Sequence, residues 1–268
     1  MRIISYNVNG IRSALNKGFC DWLATNPADV ICLQEIKANE SDIDRAAINA
    51  AGYDAYFFSA QKKGYSGVGI LTRIQPDEVI CGSGFEQSDF EGRVMHAIIN
   101  GIKIICAYFP SGSSGDDRQV YKMQWLSEFY SFISGLNNEA LVICGDYNIC
   151  HKPIDIHDPV SNKNSSGFLP EERAWMDTFF EMGLVDTFRK INQEPHQYSW
   201  WSYRAGARAR NKGWRIDYIS VSASLEHAVQ YAAIYPDVIH SDHCPIYVSL
   251  LLISHYSKAQ NNRNTDPN

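Results

Sequence analysis

Ala140-Leu141-Val142-Ile143-Cys144-Gly145-Asp146-Tyr147-Asn148 runs from an unbroken apolar stretch into a carboxylate and an amide two residues apart. The apolar part reads as a strand and the polar part as its end. Alternate residues of an extended chain point the same way, so Asp146 and Asn148 can address one atom while Tyr147 faces elsewhere. An acid beside a neutral hydrogen-bond donor suits a site that takes a proton from water and steadies an anionic oxygen. Taken alone, Gly-Asp-x-Asn after a strand is first of all a turn, because Asp and Asn side chains cap their own backbone. The rest of the chain must decide.

Working outward, further strand-like segments are Arg2 to Val8, Asp29 to Gln34, Ala55 to Phe58, Val68 to Thr72, Val94 to Ile99, Ile102 to Phe109, Arg215 to Ser220 and Pro245 to Leu252. Between them lie stretches of helical spacing: Ile11, Leu15, Phe19, Trp22 and Leu23; Tyr121, Trp125, Leu126, Phe129 and Phe132; Trp175, Met176, Phe179 and Phe180. Phe168-Leu169-Pro170-Glu171-Glu172 reads as the start of the last of these and Gly183 as its end. The alternation predicts a layered α/β protein, with no repeat visible at the residue level. Irregular tracts at 111–117, 152–167 and 204–213 read as surface loops around one rim. Residues 254–268 lack apolar periodicity and are expected to form a disordered tail, leaving 1–253 as a single domain.

The chain has 268 residues, 45% of them hydrophobic, enough for a large core. No apolar run approaches the roughly 18 residues of a membrane span, and Met1-Arg2-Ile3-Ile4-Ser5 starts in a strand pattern rather than a signal peptide. A cytoplasmic protein with no membrane association is expected, nucleoid-associated when acting. Seven cysteines without a C-x-x-C pair argue for neither disulfides nor structural zinc; Cys32, Cys106 and Cys144 fall inside apolar runs as small core residues. A net charge of -6 speaks against nonspecific coating of nucleic acid, although a local basic face still binds a polyanion. Nothing marks an oligomer interface, so a monomer is expected.

Five strand-like segments run into unusual polar residues: Asn7 and Asn9, Gln34-Glu35, Tyr108, Asp146 and Asn148, and Asp242-His243. Singly, these read as turns, a solvated edge residue, a rim aromatic and an Asp fixing its neighbouring His. Zinc at His240 and His243 lacks a third soft ligand. Together they form an oxygen-rich pocket suited to magnesium, with manganese as a substitute, and a hard metal implies phosphate chemistry.

The same residues carry a family resemblance. Asn7-Val8-Asn9-Gly10-Ile11-Arg12, Leu33-Gln34-Glu35-Ile36-Lys37, Gly64-Tyr65-Ser66-Gly67-Val68, Tyr108-Phe109-Pro110, Gly145-Asp146-Tyr147-Asn148, Trp214-Arg215-Ile216-Asp217-Tyr218 and Ser241-Asp242-His243 occur in order from Met1 to about Leu252. The chain thereby resembles exonuclease III-type apurinic/apyrimidinic (AP) endonucleases of the endonuclease/exonuclease/phosphatase superfamily. The resemblance implies a four-layered α/β sandwich, two packed mixed β-sheets flanked by helices. It implies Glu35 as principal metal ligand with Asn7, Asn9 and Asp242 nearby, and Asp146 as general base with Asn148 hydrogen-bonding the nucleophile or a phosphate oxygen. His243 and Tyr108 would meet the phosphate, with Asp242 or Asp217 orienting His243. Asn9 stands where some relatives carry Asp, which removes one charge from the metal side.

The substrate side falls between Gln197 and Asp217. Arg204, Arg208, Arg210, Lys212 and Arg215 place five positive charges with no acid among them, which suits a solvated loop or a grip on a phosphate backbone. By the resemblance, Trp200, Trp214 and Ile216 wall a small apolar pocket that accepts an extruded abasic sugar. Arg118, Asn164 and Lys122 sit in further loops that could grip phosphates, although Lys122 suits ordinary surface charge at least as well and is left out of the site. The implied activity is hydrolysis, dependent on Mg2+, of the phosphodiester 5' to an abasic site in duplex DNA, with 3'-5' exonuclease and 3'-end cleaning of blocked ends as variable second activities. The alternatives are another superfamily phosphoesterase, acting on RNA, inositol phosphates or lipid, and a DNA-damage binding module that has lost catalysis.

Overall fold

The computed structural model describes residues 1–136 and 139–252, so the expected tail at 254–268 lies outside the described residues. In chain order the strands are β1 (Arg2–Asn7), β2 (Val30–Gln34), β3 (Asp54–Phe58), β4 (Val68–Thr72), β5 (Glu78–Cys81), β6 (Val94–Ile99), β7 (Ile102–Tyr108), β8 (Leu141–Asp146), β9 (Leu184–Asp186), β10 (Asp217–Ser222), β11 (Val229–Ile234) and β12 (Ile246–Leu250). The helices are α1 (Ile11–Asn16), α2 (Phe19–Thr25), α3 (Arg45–Ala50), α4 (Glu86–Phe90), α5 (Asp116–Ser134), α6 (Pro170–Glu181) and α7 (Thr187–Ile191). They form two mixed six-stranded sheets, β11-β12-β1-β2-β4-β3 and β5-β6-β7-β8-β10-β9.

Apolar residues on both faces of the central strands dictate the layers. Ile3, Val30, Cys32 and Ile70 of the first sheet meet Ile104, Cys106, Val142, Cys144 and Ile219 of the second in a dry seam between the sheets. On the outer face of the first sheet, Ile31 and Leu33 pack against Ile11, Phe19, Leu23 and Ile48. Beyond the second, Ile105, Ala107 and Ile143 pack against Trp125, Phe129, Met176 and Phe179. The result is a helix–sheet–sheet–helix sandwich, as the resemblance implied.

A repeat absent from the sequence is present in the backbone. In the first sheet β1 and β2 are parallel, followed by antiparallel β4 and β3; in the second, β7 and β8 are parallel, followed by antiparallel β10 and β9. Parallel neighbours require a crossover, made by α1 and α2 in one half and α5 in the other. Polar groups gather where crossovers leave the carboxyl ends of such strands, and the Asn7, Glu35, Tyr108 and Asp146 ends all lie there. The chain also closes on itself: β12 pairs antiparallel with β1, and the Met1 amino group donates to Leu250 O at 2.7 Å.

Several boundaries differ from the sequence reading. The helical stretch from Ile11 to Leu23 is two helices, broken at Gly18, which adopts φ 88°. Strands β5, β9 and β11 were not expected; each is an edge strand of its sheet, where one side needs no partner and an apolar run is not required.

Candidate active site

Pairing across the second sheet puts Tyr108, Asp146 and Asp217 in one row, the last residues of β7 and β8 and the first of β10. From the first sheet, Asn7 ends β1 and Glu35 follows β2. The Asn7 amide joins the halves, donating through Nδ2 to Glu35 Oε1 and to Asp146 Oδ2, each at 2.8 Å. His243 enters from the segment before β12, its Nδ1 2.9 Å from Asp217 Oδ2 and its Nε2 3.8 Å from Asp146 Oδ2. Asp217 is the carboxylate that orients the imidazole. Asp242 instead accepts from Asn9 Nδ2 at 2.8 Å and from Trp200 Nε1 at 3.0 Å.

Glu35, Tyr108, Asp146, Asn148, Asn164, Asp242 and His243 line a cavity of about 780 Å³ together with Trp200, Trp214 and Ile216. Trp200 and Trp214 meet edge to face, their centroids 6.0 Å apart, and form with Ile156, Phe168, Cys150 and Ile216 a separate apolar cluster. One wall is acidic and the other is aromatic.

Asp146 and Asn148 do share the cavity, but not through strand alternation. Asn148 adopts φ 52°, in the left-handed region, and its N–H donates to Asp146 Oδ1 at 2.8 Å. The motif is thus the self-capping turn that its composition suggests and part of a polar site at once. Asn9 (φ 44°) and Glu35 (φ 51°) share the left-handed conformation. Non-glycine residues held there cost of order 1–3 kcal/mol each and gather at functional sites.

Burial raises the Asp146 carboxyl above its usual range; His243 pulls it down, while the Asp217 and Glu35 carboxylates push it further up. Burial disfavours a charged imidazole, yet Asp217 and Asp146 hold His243 well above the usual histidine range. Carboxylates crowded this closely either retain a proton or gain from nearby positive charge. Ligand atoms of Glu35, Asp146 and His243 lie within 4.8 Å of one another, a group that could hold a metal ion. Its oxygen-rich donors fit a hard divalent cation. Asn7 is a hydrogen-bond partner of that group, while Asn9 and Asp242 bond each other beside it; Asn9 Oδ1 accepts from Lys37 Nζ, which also pairs with Glu35 Oε2.

Other expectations are corrected. Arg118 is in the first turn of α5 rather than a loop and does not line the cavity; its guanidinium is tied to Glu91 and Tyr65. The five charges after Trp201 do not form one basic patch. Arg215 is buried, paired with Asp155 and Asp186, and Arg208 lies over the Trp201 ring while donating to three backbone carbonyls. Arg204 remains on the exposed rim, outside the cavity lining. Lys122, read as surface charge, is fully buried against Glu172 and Asn148 O. Its position was legible: residues 122, 125, 126, 129 and 133 fall on one helical face, and the other four are core. Ser199 carried no such signal, although its Oγ donates to Asp217 Oδ2 at 2.6 Å and accepts from the Ile216 and Asp217 amides.

The chain belongs to the endonuclease/exonuclease/phosphatase family, whose profile matches residues 4–243, and is a hydrolase of that family. Within it the chain stands with the DNA-repair nucleases. It is 42% identical over 249 residues to the exodeoxyribonuclease of Bacillus subtilis, covering 92% of this chain and 98% of that one. The AP endonuclease of Archaeoglobus fulgidus superposes with a TM-score of 0.87 at 32% identity, covering 94% of this chain and 100% of that one. A 3' phosphatase from Neisseria, solved with a product DNA hairpin, gives 0.87 at 28% identity, covering 94% and 100%.

Proposed function

We propose that this protein is an AP endonuclease that hydrolyses the phosphodiester 5' to an abasic site in duplex DNA and leaves a 3'-hydroxyl, using Mg2+, for which Mn2+ substitutes. The observation that carries this reading is the opposition, across one cavity, of the Glu35–Asp146–His243 cluster and the Trp200–Trp214–Ile216 wall. A phosphodiester beside the first leaves its deoxyribose against the second, where a sugar without a base fits and a nucleotide carrying one does not.

Glu35 would be the principal holder of the cation, with Asn7, Asn9 and Asp242 nearby and Asp146 and His243 facing it across the cluster. The cation's charge would serve to polarise the scissile phosphate and to stabilise the leaving 3'-oxygen. Asp146 takes the proton from the attacking water. Asn148 steadies the nucleophile or a phosphate oxygen, and Tyr108 contacts the phosphate at the rim. His243, kept cationic by Asp217, faces the negative charge that builds on the phosphate. Asn164, Arg204 and Arg118 would contact the DNA backbone, Arg118 only after loosening from Glu91.

Trimming of blocked 3' ends and 3'-5' exonuclease action are second activities of the same site, a reading the 3' phosphatase relative supports. Residues 1–253 act as one domain and a monomer, in the cytoplasm and at the nucleoid. The test is a duplex with one synthetic abasic site, incubated with Mg2+ and with excess chelator. Cutting 5' to the lesion in Mg2+ alone is expected. Binding without cutting would identify a damage-binding module, and indifference to the lesion would identify a different phosphoesterase.

A further inference from the structure

Lys122 and Glu172 stand 2.6 Å apart with neither side chain exposed to solvent. An ion pair taken wholly out of water is a weak source of stability, because desolvation offsets the attraction. What its two ends hold is more telling. Lys122 Nζ donates to Asn148 O at 2.8 Å, the carbonyl of a residue whose left-handed backbone persists only where its surroundings over-determine it. Glu172 Oε2 accepts from the Gly167 and Leu169 amides at 2.6 and 2.9 Å, and its Oε1 accepts from Gln119 Nε2 at 3.1 Å.

Asn148, Gly167, Leu169 and Gln119 all line the cavity. Gly167 adopts φ 93° and lies so close to Trp214 that a Cβ there would sit 2.9 Å from the ring. The position of the Gly167 backbone therefore sets how far Trp214 reaches into the cavity. Cys150 N donates to Gly167 O at 2.7 Å, which ties the segment carrying Asn148 to the loop carrying Gly167.

We propose that the Lys122–Glu172 pair is the positioning device of the site: one buried pair, bridging α5 and α6, fixes Asn148 beside Asp146 and the 164–169 loop against Trp214. It rests on the phosphodiesterase reading for the roles of those two partners. Lys122 touches no reacting atom. It acts through Asn148, and Glu172 through the loop.

Lys122→Met alone strands a buried carboxylate, so the informative variant is Lys122→Met/Glu172→Leu, which fills the space without charge and folds stably if the pair is dispensable to the fold. Its expected kcat on the abasic duplex is down about 10–100-fold, because small misplacements near a reacting centre cost on this scale, with KM within about 3-fold. Lys122→Arg should recover most of the loss, which a merely space-filling role would not require. Wild-type kcat in the double variant overturns the proposal. A readout independent of activity is amide hydrogen exchange in the unaltered protein: the Gly167 and Leu169 amides should be protected like those of β8, and exchange at the rate of an open loop overturns it as well. If the unaltered protein spares the abasic duplex, the function proposed above fails, and the exchange result still decides the role of the pair.

Discussion

The two parallel strand pairs are built alike and finish differently. β1 and β2 are crossed over by two short helices and end in Asn7 and, just beyond, Glu35, whose side chain keeps 15% of its exposure. β7 and β8 are crossed over by the 19-residue α5 and end in Tyr108 and Asp146, the latter 1% exposed. One backbone plan thus yields a slightly exposed carboxylate, suited to a hydrated cation, and a fully buried one, suited to moving a proton. Burial and the packing behind each strand set the difference, and strand order does not.

Single changes can break that contrast. Asp146→Asn should bind abasic DNA normally and cut it about 10²–10⁴-fold more slowly, the loss expected for a general base, and extra Mg2+ should not restore the rate. A mild defect, measured in single-turnover assays, would place the base elsewhere. Glu35→Gln should weaken metal affinity by about 10–100-fold or more, since altering even the support of a ligand has that effect, so a Mg2+ titration should recover rate in this variant alone. Recovery in both, or in neither, erases the distinction between the halves.

A smaller effect concerns the floor beneath Trp214, where Asp155 is clasped by Arg215 and Arg189. Burial would raise this carboxyl, but the two guanidinium groups outweigh it and hold it at about 2. A depressed carboxyl contributes stability that is fully present above its unfolded value near 4 and lost as pH falls through about 2. The contribution is about 2 kcal/mol. Unfolding midpoints followed between pH 5 and 2 should show this loss in the native protein and not in Asp155→Asn, whatever the latter's baseline. The least effect is expected from Arg118→Ala, less than about 10-fold in KM and none in kcat, since its guanidinium is partly exposed and already paired. A large kcat defect would bring Arg118 into the site itself.

The sequence revealed much of this because a buried strand ending in Asp or Asn departs sharply from its apolar pattern, as at Asn7 and Asp146. It revealed less where a side chain's role depends on which face it turns. Arg215 reads as one of five loop cations, and only the fold brings Asp155 and Asp186 to it. Lys122 stands on the apolar face of its helix, a signal weaker than the general rule that lysines stay in water. Strand β5 shows little burial along its length, so no periodicity announces it. The Asp146–Asn148 motif kept both of its readings, because the Asp146 carboxylate caps the turn through the Asn148 N–H while both residues line the cavity.

The pairing of β12 with β1 bears on how the protein is made. Asp242 and His243 shortly precede β12, and that strand joins the sheet by lying antiparallel against β1, more than 230 residues earlier in the sequence. A nascent chain on the ribosome that already displays Glu35 and Asp146 still lacks its imidazole and an open flank of β1 is still waiting. The cluster is complete only once β12 has reached β1, so a product cut before Asp242 would lack both residues and the strand that seats them.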